Sequence, residues 1–174
     1  MRKHNGMRPQ DVAILLKIIT LSDTSWRLID LSNSMRLSIS EISESLNRSC
    51  IAGLIDHNKK NVNRQNLFDF LQHGIRYVFP QKPGTMTRGI PTAHSHPFMK
   101  KLILSDLDFV WPYSKGKAMG LEIQPFYPKQ VEASQDDEAF YKLLALTDVL
   151  RVGKVREIKY AIDELKKGIV NVSS

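Results

Sequence analysis

The sequence contains a single cysteine, Cys50, and therefore cannot form an internal disulfide. Such composition is typical of proteins in a reducing compartment, and we expect a cytoplasmic location. No stretch approaches the roughly 20 apolar residues of a membrane-spanning helix. The apolar run 12–19 follows basic N-terminal residues, but it is short, contains Lys17 and precedes no small-residue cleavage site. We therefore expect neither a signal peptide nor membrane association.

Signature motifs of common enzyme families are also missing. The sequence contains no GxSxG nucleophile elbow, no HExxH zinc motif and no phosphate-binding P-loop. It also shows no internal repeat and no low-complexity tract. We therefore expect a chain that is not an enzyme and that needs no cofactor.

Acidic residues are scarce in the first part of the chain. Residues 1–101 hold 15 Lys and Arg against 7 Asp and Glu, a net charge of +8, whereas residues 102–174 hold 10 against 11, a net charge of −1. The two parts account for the overall charge of +7. A basic field confined to one part of a protein favours a polyanionic partner, most simply nucleic acid.

Apolar residues at helical spacing predict four helices in the first 74 residues. The first begins near Pro9, and the second runs from about Ser25 to Met35. The third begins at Ser38, which forms an S-x-x-E capping box with Glu41. The fourth follows the polar loop DHNKKNVN, is capped by Asn63 and is closed by His73-Gly74.

The pattern changes after this point. The β-branched and aromatic run Ile75–Phe79 predicts a strand, and the Pro-Gly turn QKPGTM predicts a hairpin whose second strand passes through TRGIPTAHSHP, residues 87–97. Short strands are expected around FVWPY and AMGLEI, residues 109–113 and 118–123. Two amphipathic helices then follow, one from about Asp137 and one closed by Gly168, with Gly153 between them.

The segment WRLIDLSNSMRLSISEISESLNR, Trp26–Arg48, resembles the helix-turn-helix of bacterial and archaeal transcription regulators. Arg36 stands where such turns usually have glycine. The pattern of that motif is filled by Leu31, Ser32, Met35, Leu37, Ser38, Ile42, Ser43 and Leu46. With the preceding helix and the expected hairpin, residues 8–97 resemble the winged-helix domain of MarR-like regulators.

This resemblance implies that the third helix enters the major groove of DNA. Its core face carries Ile39, Ile42 and Leu46, so the opposite face is expected to contact bases or phosphates. The residues expected to make those contacts are Ser38, Ser40, Glu44, Asn47 and Arg48. Lys82 would lie at the tip of the wing, and Arg88 on its returning strand would reach the phosphates or the minor groove.

Other interpretations remain open. A structural helical hairpin without DNA contact would give the same pattern, and so would an antitoxin-like or accessory winged helix that holds a protein partner. His94 and His96 alternate in an extended segment and could share a zinc ion in a small metal-dependent enzyme. No further residue shows ligand spacing, so we expect no metal site.

The sequence therefore predicts a mostly helical α+β fold. Residues 8–101 are expected to form a winged helix-turn-helix, and residues 102–174 a mixed α/β extension. The expected function is sequence-specific binding of double-stranded DNA in transcription regulation. Two-fold regulators commonly dimerise, and a homodimer is expected through the apolar faces Phe140/Leu143/Leu144 and Ile158/Ile162/Leu165. The same extension could instead hold a protein partner.

Overall fold

The computed structural model describes residues 5–172 and shows an α+β fold in which helices predominate. The first helices are α1 (Pro9–Thr20), α2 (Leu28–Met35), α3 (Ile39–Ile51), α4 (Arg64–His73) and α5 (Ile75–Val78). The sheet region comprises β1 (Met86–Pro91), a 3-10 turn (Ala93–Ser95), α6 (Pro97–Lys100), β2 (Phe109–Pro112) and β3 (Ala118–Glu122). Three further helices follow, namely α7 (Gln130–Ser134), α8 (Glu138–Val152) and α9 (Val155–Ile169). The predicted fold class is thus confirmed at this level.

Helices α2 and α3 form the predicted hairpin around a tight turn. Arg36 follows α2 and adopts the left-handed conformation, with φ 55° and ψ 39°. Across the turn, the Ser32 hydroxyl donates to the Leu37 carbonyl at 2.6 Å. Because a left-handed residue with a Cβ costs about 1–2 kcal/mol, the contacts around the turn must offset this strain. The turn therefore keeps a conformation suited to glycine although the sequence supplies arginine.

The start of α3 is fixed by the predicted capping box, which is confirmed. The Ser38 hydroxyl accepts from the Glu41 amide at 3.2 Å, and the Glu41 carboxylate accepts from the Ser38 amide at 2.9 Å. The hydrogen bonds that the Ser38 amide and hydroxyl donate to the carboxylate lower the pKa of Glu41 and favour its ionised form. The apolar residues shared by the two helices, Leu31, Met35, Ile42 and Leu46, are at most 1% exposed.

The predicted strand Ile75–Phe79 is wrong, because this segment forms the short helix α5. The Gly74 amide donates to the Phe70 carbonyl, and the Phe79 amide donates to the Ile75 carbonyl, each at 2.8 Å. Helical hydrogen bonding thus continues almost directly from α4 into α5. Tertiary context overrides the strand propensity of this run, since α5 packs on α8.

The sheet consists of three short strands that pair with one another. β1 is antiparallel to both β2 and β3, which are parallel to each other. The two C-terminal strands occur where FVWPY and AMGLEI predicted them. Gly89 lies opposite both Pro112 and Ala118, and a Cβ at this position would stand 1.9 Å from the Trp111 carbonyl oxygen. Only glycine allows this close approach.

Helix α8 lies at the centre of the fold and contacts α1, α4, α5, α9 and the 3-10 turn. Its Asp148 is fully buried and accepts from the Thr92 hydroxyl and the Trp111 indole N–H, both at 2.7 Å. The Arg151 guanidinium donates to the other carboxylate oxygen at 2.9 Å and to the Phe79 carbonyl at 3.0 Å. Burial raises the pKa of Asp148, and the Arg151 charge and the hydrogen bonds oppose that rise.

The surfaces expected to pair two copies are largely filled by the chain itself. Phe140 and Leu144 of α8 and Leu165 of α9 are fully buried in the single chain, and Leu143 is 7% exposed. Ile158 and Ile162 of α9 are only half-buried, and a dimer through these faces stays a prediction. One hydrophobic core joins helices from both predicted domains, and the boundary between residues 101 and 102 stays a prediction.

Among residues 5–172, no helix has both the length and the apolar composition needed to cross a membrane.

Candidate nucleic-acid interface

The outer face of α3 carries three exposed polar residues, Ser40, Glu44 and Asn47. They lie opposite Ile42 and Leu46, which face the core, as the helical period predicts. Ser38 is exposed as well, but its hydroxyl is engaged with Glu41 in the capping box. The face thus presents one hydroxyl, one amide and one carboxylate, groups that can pair with base edges or phosphates.

Arg48 does not belong to this outer face, and the prediction that it projects outward is wrong. It is 7% exposed, and its guanidinium binds the fully buried carboxylate of Asp11 on α1 through two hydrogen bonds of 2.8 and 2.7 Å. Glu44 approaches the same guanidinium only at 3.9 Å. Arg48 therefore joins α3 to α1 and is unavailable to a ligand on the surface.

A small hairpin follows α3 directly and spans residues 55–62. Ile55 and Val62 form an antiparallel bridge, and the Asp56 amide donates to the Asn61 carbonyl at 2.9 Å. The Asp56 carboxylate accepts from the backbone of Lys60 at 2.8 Å and from the side chain of Asn61 at 2.9 Å. These bonds lower the pKa of Asp56, with the Asn61 side chain as the largest cause. The tip of the hairpin is thereby held in one shape.

The sequence predicted only a polar loop at this place. The signal that could have revealed the hairpin is the pair of β-branched residues, Ile55 and Val62, on either side of an Asn- and Lys-rich stretch. Asn63 occupies the predicted N-cap position of α4, but its side chain makes no cap hydrogen bond. Its amide instead donates to the Gly53 carbonyl at 2.7 Å and fastens the base of the hairpin.

The 55–62 hairpin and the outer face of α3 form one continuous polar surface. The Lys59 ammonium donates to the side-chain oxygen of Asn47. Lys60 donates to the Trp26 carbonyl, and its ammonium lies 4.1 Å from the centre of the Trp26 ring. The hairpin is thus attached both to α3 and to the segment that precedes α2.

Lys82 and Arg88 are exposed but do not lie on the wing that the sequence predicted. Because Ile75–Phe79 is helical, β1 pairs with β2 and β3 instead of forming a hairpin with that segment. Lys82 lies in the connection between α5 and β1. Arg88 projects from β1 and donates to the Gly116 carbonyl at 3.3 Å. The structure therefore does not join these two residues to α3 through the expected wing.

The two histidines of residues 87–97 are buried, and each has a structural partner. The Nε2 atom of His94 lies 2.7 Å from the Leu107 carbonyl, so this nitrogen must carry the proton. The Nδ1 atom of His96 accepts from the Phe98 amide at 3.1 Å, and its ring packs on Tyr141. Burial, reinforced by the charge of Lys142, lowers the pKa of His96 to about 4.

The structure places no further metal ligands beside His94 and His96 within residues 5–172. Across residues 5–172, no group of three or more His, Cys, Asp or Glu side chains is arranged to hold a metal ion. Cys50 lies 3.9 Å from Nδ1 of His57, but no third ligand completes that pair in the same range. The outer face of α3 and the 55–62 hairpin form the candidate functional site.

Comparison with known proteins identified no matching family model, no matching curated protein and no matching solved structure.

Proposed function

We propose that this protein binds double-stranded DNA as a transcription regulator, with α3 in the major groove and the 55–62 hairpin against the phosphates. The observation that carries the proposal is the contact between Lys59 of the hairpin and Asn47 of α3, because it joins both elements into one surface. In this arrangement the hairpin takes the role of the wing that the sequence predicted within residues 75–97.

The geometry of α2 and α3 supports the proposal. The two helices meet at a left-handed turn residue, and the second helix begins with a capping box. A helix of about 10–12 Å in diameter fits the roughly 12 Å width of the major groove. With Arg48 bound to Asp11, the base-reading groups of α3 reduce to Ser40, Asn47 and Glu44, of which the first two can donate to bases or phosphates.

The charge distribution also supports it. The first 101 residues have a net charge of +8, which favours a polyanion over a neutral partner. Lysine at the tip of a hairpin neutralises phosphate and supplies affinity that depends on salt but not on sequence. Selectivity then falls to the few polar groups of α3.

A titration of labelled duplex DNA at several salt concentrations tests the proposal. The wild-type protein should bind at low salt, and its affinity should fall steeply as salt increases. Lys59→Ala should weaken binding to all sequences and reduce the log–log salt slope by about 1, because one phosphate contact is lost. Asn47→Ala should reduce the difference in affinity between selected and random DNA sequences.

Two matched variants make the test specific. Lys166→Ala removes an exposed lysine from α9 and should leave both affinity and slope unchanged. Arg88→Ala removes a cation from β1, which is not joined to α3 through a wing, and should also leave affinity and slope unchanged. Absence of duplex binding even at low salt would overturn the proposal. If Lys59→Ala and Lys166→Ala change affinity and salt slope equally, the hairpin has no specific role in DNA binding.

A further inference from the structure

An apolar protrusion lies on the loop of residues 102–107, which connects α6 to β2. Leu104 is 99% exposed, and Leu102 and Leu107 are 40% and 50% exposed. A leucine that contacts almost nothing in its own chain loses the free energy that its burial would provide. Clustered apolar side chains of this kind mark surfaces that another molecule covers.

The 102–107 loop is anchored at its C-terminal end. His94 donates to the Leu107 carbonyl at 2.7 Å, and the Ser105 hydroxyl donates to the same oxygen at 3.1 Å. Just beyond the loop, the Phe109 amide donates to the Ser95 hydroxyl at 2.7 Å. The protrusion is thus attached to the buried 3-10 turn, so its ordering is largely complete before any partner binds.

A concavity lies directly beside the protrusion. It has a volume of about 680 Å³ and is bounded by the 102–107 loop and by the first turn of α9. Next to it, Val155 of α9 is 88% exposed. Leu104 itself lines this concavity, so an exposed apolar side chain and a hollow large enough to receive a second leucine occur on the same face of one chain.

The same concavity contains charges of both signs. Asp106 lies on the loop side, and Lys154, Arg156 and Glu157 lie on the α9 side, where the Glu157 carboxylate accepts from the Lys154 amide at 2.7 Å. Asp106, Lys154 and Arg156 are exposed, and in the part of the chain that the structure describes none of their charged side-chain atoms lies within 4 Å of an oppositely charged side-chain atom. The face thus offers one unpaired carboxylate and two unpaired cations at the edge of an apolar contact.

We propose that this face binds a second copy of the same chain about a two-fold axis. Leu104 of each copy enters the concavity of the other, and Asp106 of each copy faces Lys154 and Arg156 of the other. A two-fold interface brings the same patch of both copies together and therefore requires self-complementarity. A patch with both a knob and a hole, and with both charge signs, meets that requirement, whereas a purely acidic or purely basic partner would satisfy only one side.

This interface differs from the buried faces of α8 and α9 that the sequence suggested. It also stands independently of DNA binding, because it uses neither α3 nor the 55–62 hairpin. The molar mass in solution tests it without DNA, so failure of one proposal leaves the other intact.

The first experiment measures molar mass by light scattering and sedimentation equilibrium with the full chain at micromolar concentrations. The wild type should have the mass of a dimer. Leu104→Ser should raise the dissociation constant of the dimer at least tenfold without lowering the thermal midpoint of the monomer, since the side chain is exposed. Tyr77→Ser serves as the matched control, because Tyr77 is 77% exposed on α5, and should leave the dimer unchanged.

The second experiment exchanges the charges. Asp106→Arg alone and the double variant Lys154→Glu/Arg156→Glu alone should each be monomeric, because every cross-copy pair becomes repulsive. An equimolar mixture of the two should recover the mass of a dimer, because each reversed charge then meets its complement. A monomeric wild type, dimers in either variant alone, or a monomeric mixture would each overturn the proposal.

Discussion

Arg48 of α3 and Asp11 of α1 form a buried two-point ion pair, with the guanidinium donating to both carboxylate oxygens. Asp11 also accepts from the Arg8 amide at 2.8 Å, and so contributes to the first turn of α1. The pair therefore fixes the orientation of α3, the helix that we propose to enter DNA, relative to the helix behind it.

Arg48→Met should destabilise the protein by about 3–5 kcal/mol, because it leaves the Asp11 carboxylate buried without its charge partner. Urea denaturation followed by circular dichroism measures the change. The double variant Asp11→Asn/Arg48→Met removes both charges and keeps an acceptor for the Arg8 amide. It should recover much of the loss, and a double variant less stable than Arg48→Met would contradict this account.

Arg36→Gly should stabilise the protein by up to about 1 kcal/mol. Glycine removes the left-handed penalty of about 1–2 kcal/mol, and its greater freedom in the unfolded chain offsets part of the gain. Arg36→Ala is the matched control, since it removes the side chain but keeps the Cβ. If alanine stabilises as much as glycine, the strain at Arg36 is not the cause. Thermal midpoints of the three proteins decide the question.

His96 should make stability depend on pH in the acidic range. Its folded pKa, about 4, lies below its ordinary value of 6.5, so the folded state favours the neutral ring. The resulting stability is present above pH 6.5 and is lost as pH falls toward 4, by about 3 kcal/mol in total. His96→Asn keeps an acceptor for the Phe98 amide but does not titrate. Between pH 6.5 and 4, urea midpoints should fall more steeply for the wild type than for the variant. If the midpoints of both proteins fall equally with pH, His96 is not the cause.

Glu44→Gln should strengthen binding to duplex DNA about two- to fivefold, a gain of up to about 1 kcal/mol. The carboxylate lies on the outer face of α3, where it would oppose phosphate. Asp163→Asn, an equal charge change on exposed α9, is the control and should alter affinity much less. Anisotropy titrations at one low salt concentration are sufficient. Equal gains in affinity from both variants would attribute the effect to net charge and not to the location of Glu44 on α3.

The helical period and the capping signals were enough to predict α1, α2 and α3, because those helices bury regular apolar faces and Ser38 and Glu41 lie close in sequence. Arg48 could not be predicted in the same way. Its position on a helical wheel points outward, but its partner Asp11 is 37 residues away, and such long-range pairing leaves no local pattern.

The hairpin expected within residues 75–97 and the hairpin found at residues 55–62 show the same limit of prediction from local sequence. Residues Ile75–Phe79 have the composition of a strand, yet packing of α5 on α8 makes them helical. The 55–62 hairpin has only one bridged pair, Ile55 with Val62, which is too short for periodicity to detect. The sequence thus predicted the helix that forms the proposed site but placed its companion hairpin about 20 residues too late.

The buried carboxylate of Asp148 has a consequence for how the molecule opens. Two of its donors, Thr92 and Trp111, come from the residue after β1 and from β2, and the third, Arg151, comes from α8 itself, so separating the sheet from α8 would leave one carboxyl oxygen without both of its donors. Local opening that separates only β1 or only β2 from α8 is therefore unfavourable. Amide hydrogens of both strands and of α8 should exchange at similar, slow rates and through a common opening event. In exchange measurements these segments would behave as one cooperative unit that crosses residues 101 and 102.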